Sequence, residues 1–319
     1  MNSNISNTPL VSVIVITYNS SGTIVETLDS IKAQSYQNLE LIVSDDHSHD
    51  NTCEVVNEWI NINKGCFVNA ELVTTERNTG VSGNINRGVA HSHGDWIKSI
   101  AGDDMLVPTA IADFVDFVVN SKTSVKMCVS DVQPFSTDNS IPHTAIKAYQ
   151  QWFKYSQEDY ECQLRRVNMF LVFVGPSYFY SRELYDEIGG FDEKYGNLEE
   201  WPFVYKVIKK GYRIYALDKK LVKYRVSSTS LCNEKQSGLG NYGLFISKYH
   251  FFFDFPFRDL IHNRRYFIAW DMLLDYNIKL LRFKSNNSFF VRLLGFLAMT
   301  ISPYAYLRLF GVTDFRYYN

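Results

Sequence analysis

No stretch of the chain reaches the ~18 uninterrupted apolar residues that a membrane-spanning helix needs. The opening MNSNISNTPL has no basic segment followed by a long apolar run, so no secretory leader is expected. The expected setting is cytoplasmic, soluble or peripheral on the inner face of the membrane. Cysteine is sparse. Cys53, Cys66, Cys128, Cys162 and Cys232 are odd in number and never form a C-x-x-C pair, which argues against a disulfide framework and a zinc site. There is no excess of basic charge either. A formal charge of −2 gives no field that would recruit duplex nucleic acid, so no nucleic-acid partner is expected. Finally, neither G-x-x-x-x-G-K-[ST] nor G-x-G-x-x-G follows the first apolar run, which disfavours a P-loop NTPase and a dinucleotide-binding dehydrogenase.

What is present is alternation. VSVIVITYN, from Val11 to Asn19, is short, β-branched and nearly all apolar, as a strand buried on both faces of a parallel sheet reads. Thr23 and Glu26 then form a T-x-x-E pattern that predicts a capping box, with Ile24, Leu28 and Ile31 at helical spacing behind it. LELIVSDD (39–46) predicts a second strand, and a helix carrying Val55, Val56, Trp59 and Ile60 follows. Residues 70–74, 80–90 and 95–100 continue as strand, helix, strand; Pro108 suits the first turn of a helix with Ile111, Phe114, Val115 and Val118 on one face. Repeated βαβ units predict an α/β fold, a mostly parallel sheet flanked by helices. Beyond Val125 the strands are less regular, and Ser136 to His143 reads as a loop between a nucleotide half (about 9–135) and an acceptor half (about 136–235) of one domain spanning 1–235. The remainder, 236–319, reads as a helical C-terminal region.

In open α/β sheets ligands sit outside the carboxyl ends of the strands. Thr17, Tyr18 and Asn19 end the first strand and offer a ring and two hydrogen-bonding side chains to a base and ribose, although ordinary turn chemistry accounts for Asn19 as well. Asp45 and Asp46 end the second; one can serve a ligand while the other caps the following helix. Asp103 and Asp104, after Gly102, end the fourth. Hard carboxylate oxygens there suit Mg²⁺ or Mn²⁺ bridging to a diphosphate, against the alternative of a solvated loop pair. Glu199 and Glu200 precede a helix that Pro202 can open and Gly211 can close. Either can take a proton from an attacking hydroxyl, or both can serve as helix-terminal acids.

Five ordered blocks are similar to glycosyltransferase family 2, of GT-A fold, from about Pro9 to about Ser230. They are VSVIVITYNSSGTIVETLDSIKAQSYQNLELIVSDDHSHDNT, RNTGVSGNINRGV, GDWIKSIAGDDML, EIGGFDEKYGNLEEWPFVYKVIKKGYRI and LVKYRVSSTSL. The resemblance implies an inverting transfer from a nucleotide-diphosphate sugar, usually UDP-linked, to a glycan or lipid-linked hydroxyl, commonly in surface polysaccharide synthesis. It implies that Thr17, Tyr18, Asn19, Asp45, Asp46, Asn78 and Asp103 line the donor pocket and that Asp104 is the metal ligand. Glu200, beside Glu199, then falls at the base position where the family carries Asp. Two further departures stand out: Ala101 replaces a frequent Asp, and Ile85 replaces a frequent Arg, so a phosphate-binding cation is expected from Arg87, Arg77 or elsewhere.

After about Gly238 the chain leaves the shared core. Apolar segments interrupted by Arg and Lys, such as NRRYFIAW and SFFVRLLGFLAMT, suit helices packed on the main core, on a second copy in a homodimer, or in a membrane interface. Two rival readings remain: a sugar nucleotidyltransferase, which TYNSSGT argues against because it lacks a basic residue, and a non-catalytic nucleotide- or glycan-binding protein of the same fold.

Overall fold

The computed structural model describes residues 8–136, 153–169, 173–196, 198–226, 241–285 and 289–300. The chain divides into two compact units: Met1–Val167 with Leu171–Ser227, and Asn168–Phe170 with Ser228–Asn319.

The first unit is built on one eight-stranded sheet. Its strands are β1 (Val11–Thr17), β2 (Leu39–Asp45), β3 (Asn69–Val73), β4 (Trp96–Ala101), β5 (Met105–Leu106), β6 (Met127–Phe135), β7 (Tyr178–Ser181) and β8 (Tyr215–Arg225), in the order β3-β2-β1-β4-β7-β6-β8-β5. Pairings β3-β2, β2-β1 and β1-β4 are parallel, β7 is antiparallel to both β4 and β6, and β8 runs parallel to β6 with a bulge around Asp131. The helices are α1 (Ile24–Lys32), α2 (Thr52–Asn63), α3 (Gly80–Ala90), α4 (Ala110–Asn120), α5 (Tyr160–Val167), α6 (Arg182–Ile188) and α7 (Glu200–Lys209).

The apolar runs explain the burial. All seven residues of β2 are buried, as expected for a strand covered on both faces. Ile24, Leu28 and Ile31 of α1 and Ile111, Phe114, Val115 and Val118 of α4 pack into the same core, where Phe179 stacks between Trp96 and Phe114 at ring separations of 5.0 and 4.9 Å. Glu40 is buried within β2, but it accepts from Ser12 Oγ (2.6 Å) and the His93 backbone N–H (2.7 Å). Burial would raise its pKa; the His93 ring, together with these donors and Asn69, more than offsets that and holds it below the usual carboxylate range.

One local prediction is corrected. Thr23 stands at the N-cap of α1 but makes no side-chain capping bond; its Oγ1 donates to Gly102 O (2.9 Å), and Glu26 pairs with Arg225 Nη2 (2.5 Å). The residues that resemble a capping box tie α1 to the end of β4 and to β8 instead. Pro108 likewise lies just before α4, whose N-cap is Thr109.

The second unit holds α8 (Tyr242–Asp254), α9 (Pro256–His262), α10 (Tyr266–Lys284) and α11 (Phe289–Thr300). Asn241 caps α8 by accepting from Leu244 N (2.9 Å), and Phe252 stacks on Tyr276 at 4.8 Å. A methyl group on Gly295 would lie 3.1 Å from Ile278 Cγ2, so α11 sits close on α10. None of the described helices is long and apolar enough to cross a membrane. Among the described cysteines, all free, Cys128 is buried and Cys66, in a short turn before β3, is exposed.

Candidate active site

The chain leaves β1 toward β2 and β3 on one side and later returns to β4 on the other. β1 therefore flanks a topological switch point, where a crevice opens at the strands' carboxyl ends. Thr17 is in register with Asp45, and Ile16 with both Ser44 and Ala101, so three of the predicted strand-end clusters converge there.

At the β1–β2 end, Thr17 Oγ1 donates to Asp45 Oδ2 (2.8 Å), and Ser48 donates to Asp45 through its N–H (2.8 Å) and its hydroxyl (2.5 Å). Asn19, in a left-handed conformation (φ 51°), accepts from His49 N (2.8 Å) and gives its own N–H to Ser48 Oγ (2.8 Å). Tyr18 is exposed, edge-on to the His49 ring at 6.4 Å, and His47 lies 4.9 Å from His49. Tyr18 and His49 are exposed and His47 is half-buried, over a fixed loop. Asn78 is exposed in the segment before α3 and accepts from Gly80 N (3.1 Å).

Asp46 faces inward. It accepts from Thr79 N (3.0 Å) and Thr79 Oγ1 (2.6 Å), from Gly80 N (2.8 Å) and from Arg87 Nη2 (3.0 Å). Burial pushes its pKa up, but the Thr79, Arg87 and Gly80 donors outweigh it, and the carboxyl lies below its ordinary range. Asp46 does not cap α2, the helix that follows it, whose N-cap is Asn51; it accepts at the head of α3 instead. Arg87, a candidate phosphate cation in the sequence, is committed to Asp46, Asn84 and the Asp45 carbonyl; Arg77 is exposed.

At the β4 end a methyl group on Gly102 would approach Thr17 Cγ2 to 2.8 Å, so only glycine lets the Asp pair lie against β1. Asp103 is half-buried, and its carbonyl accepts from Arg225 Nε (2.8 Å). Asp104 is 1% exposed; Oδ1 accepts from Arg225 N (2.8 Å), while buried Oδ2 has no hydrogen-bond partner. Burial raises both carboxyls, Asp104 well above the usual range with the Asp103 charge adding to the effect. Arg225, itself buried, reaches Glu26 and places a cation beside the pair.

Across β4, α7 is anchored by seven buried residues and by the Trp201 indole, which donates to Val167 O (2.6 Å). That fixes Glu199 and Glu200, both half-buried, at its N-terminus. Glu200 Oε1 accepts from Gly175 N (2.7 Å) in the turn Gly175–Ser177 that precedes β7. The charges of Glu200 and Glu199, after burial, push up the Tyr178 phenol. Lys98 of β4 is fully buried, and burial brings its ammonium down to about 7 against the opposing pull of Asp104.

The glycosyl transferase family 2 model matches residues 12–189, more than half of the chain and all but the last of these clusters. The chain belongs to glycosyltransferase family 2. It is 30% identical over 115 residues to the UDP-Glc:alpha-D-GlcNAc-diphosphoundecaprenol beta-1,3-glucosyltransferase WfaP of Escherichia coli, a match covering 35% of this chain and 43% of that relative. Its fold is shared with S. aureus TarS 1-349 in complex with UDP-GlcNAc (TM-score 0.56, 20% identity, 74% of this chain and 64% of that one). It is also shared with the mannosyltransferase PcManGT from Pyrobaculum calidifontis in complex with GDP-Man and Mn2+ (TM-score 0.53, 23% identity, 70% and 58%). The GT-A fold expected from the sequence stands; the chain spans less than half the length of several of the curated relatives it matches.

Sequence reading of this family member missed three residues of the candidate site. Arg225 is visible only as one residue of the LVKYRVSSTSL block, because β8 pairing brings it to Asp103. His47 and His49 had a signal, two histidines straddling Ser48 beside the Asp pair. A divalent metal fits the Asp pair in donor type, and the orphaned Asp104 oxygen marks an acceptor in need of positive charge. Among the described residues no group of three or more ligating side chains gathers, so protein carboxylates alone would not complete its coordination.

Proposed function

We propose that this glycosyltransferase moves a sugar from a nucleoside-diphosphate sugar, UDP-linked, to a hydroxyl of a glycan or lipid-linked acceptor, with inversion and in surface polysaccharide assembly. The observation that carries the reading is the switch-point crevice. The Thr17–Asp45 and Asp103–Asp104 pairs gather at the carboxyl ends of β1, β2 and β4, and Glu200 is held at the head of α7 by the turn that precedes β7. The names of TarS and PcManGT support a nucleoside-diphosphate sugar donor, and that of WfaP a lipid-diphosphate acceptor.

In this reading Tyr18, Asn19, Asn78 and the Asp45 carboxylate receive base and ribose, while Asp46 holds their loop in place. The sequence placed the metal on Asp104. Its burial favours a division in which Asp103, the more open of the two, would hold the metal and Asp104 would support Asp103. Mn²⁺ or Mg²⁺ held there would neutralise charge on the departing nucleoside diphosphate. Glu200 accepts the acceptor's proton as its oxygen attacks the anomeric carbon, and the bond from that carbon to the phosphate oxygen breaks.

A second observation concerns the acceptor. On α11, Phe289, Phe290, Phe296 and Leu297 are exposed, and Tyr242 to Thr300 carries eight Lys and Arg against four Asp in a chain whose net charge is −2. Apolar side chains among basic ones suit an anionic membrane surface, where a lipid-linked acceptor resides.

Calorimetry with UDP, GDP, dTDP and CMP, with and without Mn²⁺, tests the donor reading. Metal-dependent binding of UDP that Asp103→Ala weakens is the expected result. Absence of binding by all four nucleotides would return the chain to the non-catalytic reading.

A further inference from the structure

Lys98 lies in the middle of β4, on the strand face shared with Trp96 and Ile100, and is 0% exposed. Its Nζ is 5.9 Å from the centroid of the Phe114 ring and donates to Ser99 O (2.9 Å) and to Pro176 O. Removing an ammonium from water is costly, and an apolar side chain of similar volume would fill the same space without that cost. What the ammonium adds is its bond to Pro176 O, because that carbonyl belongs to the turn whose Gly175 N–H holds Glu200 Oε1 at 2.7 Å. The turn is set close: a methyl group on Gly175 would come to 3.1 Å from the same Oε1. The strand that leads into Asp103 and Asp104 is thus linked to the carboxylate at the head of α7 through one ammonium and one three-residue turn.

We infer that Lys98 is a positioning residue for the transfer reaction, bracing the Gly175–Ser177 turn so that Glu200 keeps a fixed place relative to the Asp pair. The inference rests on the reading of Glu200 as the base. Its kinetic weight follows from orientation, since a displacement of about 1 Å at a reacting group can cost about 10²-fold in rate.

The test compares Lys98→Met, which removes both donations, with Lys98→Gln, which keeps an N–H donor. Hydrogen exchange followed by mass spectrometry reads the turn (173–179) and the head of α7 (200–203) separately from β1 and β2. UDP affinity with Mn²⁺ is measured by calorimetry, and turnover as UDP release from the UDP-sugar that binds. For Lys98→Met the expected result is exchange about tenfold faster in the turn and the head of α7 only, UDP affinity within about threefold of wild type, and UDP release slowed about 10- to 100-fold. Lys98→Gln should recover part of both losses. Unchanged exchange in the turn overturns the inference, as does loosening of β1 and β2 with a parallel loss of UDP affinity, which marks a purely structural lysine. If Lys98→Met does not fold, Lys98→Gln alone decides on the same readouts. Glu200→Gln separates the two claims. Release abolished with exchange unchanged supports the base, so that a silent Lys98→Met then removes the brace alone; release retained in Glu200→Gln removes the base and the positioning role together.

Discussion

The two compact units treat their side chains in opposite ways. In the sheet unit most polar groups at the strand ends are held: Asp45 by Thr17 and Ser48, Asp46 by Thr79, Gly80 and Arg87, and one Asp104 oxygen by the backbone of Arg225, its other oxygen being left without a hydrogen-bond partner. In the helical unit large apolar groups stand in the open, with Phe289 74% and Phe267 69% exposed. A preorganised polar pocket and an unsatisfied apolar surface are different instruments. The first fixes reacting atoms before they arrive; the second waits for a surface that orders itself around it. The comparison predicts that substitutions in the first unit change chemistry or folding, whereas those in the second change only where the protein goes.

The largest effect is expected at Glu200. Glu200→Gln should lower turnover about 10²- to 10⁴-fold while UDP binding by calorimetry stays near wild type; retained turnover would place the base elsewhere. Next is the frame. Asp46→Ala removes the one carboxylate that Arg87, Thr79 and Gly80 share at the head of α3 and should cost about 2–4 kcal/mol in denaturant unfolding at pH 7. Because the folded-state pKa of Asp46 is depressed, its stabilisation is complete above the ordinary carboxylate range and lost as pH falls through the folded value, so the gap between variant and wild type should close in acid. A gap independent of pH would assign the loss to packing.

A smaller effect is expected for Asp103→Ala, which should weaken Mn²⁺-dependent UDP binding about 30- to 100-fold. If Asp104→Asn does so instead, the division of labour within the pair is reversed. Smallest in free energy is the double variant Phe289→Ser with Phe290→Ser. It should leave stability within about 0.5 kcal/mol and UDP release unchanged, yet reduce sedimentation with anionic liposomes at low salt about tenfold. Unaltered sedimentation would remove the membrane from the account of this unit.

How much of this could be read from the chain depended on how far each interaction reaches. VSVIVIT and LELIVSD announce buried strands because their own composition forces burial, and their ends place Thr17 and Asp45 without further information. Asp45 and Asp46 are indistinguishable in sequence; what separates them is Thr79 and Arg87, brought in by the crossover to α3. The pair Thr23 and Glu26 looked local and proved tertiary for the same reason, since Gly102 and Arg225 offered better partners than the helix end. Lys98 was illegible because a lysine in an apolar run reads as the solvent side of a strand, and only the carbonyl of Pro176 reveals otherwise. The antiparallel insertion of β7 between β4 and β6 also lay beyond the pattern, because such short strands carry little periodicity.

The thiols offer a practical handle on all of this. Burial, with Asp45 adding to it, pushes the Cys53 thiol up to about 12, and burial raises Cys128 and Cys162 as well, whereas Cys66 is exposed. A maleimide dye at neutral pH should therefore react first at Cys66 among these four, since the thiolate is the reactive form and must be reachable. Cys66 lies in the turn that leads into the amino end of β3, at the opposite end of the parallel strands from the crevice. A fluorophore placed there would report donor binding, liposome capture or tumbling without standing in the way of the sugar.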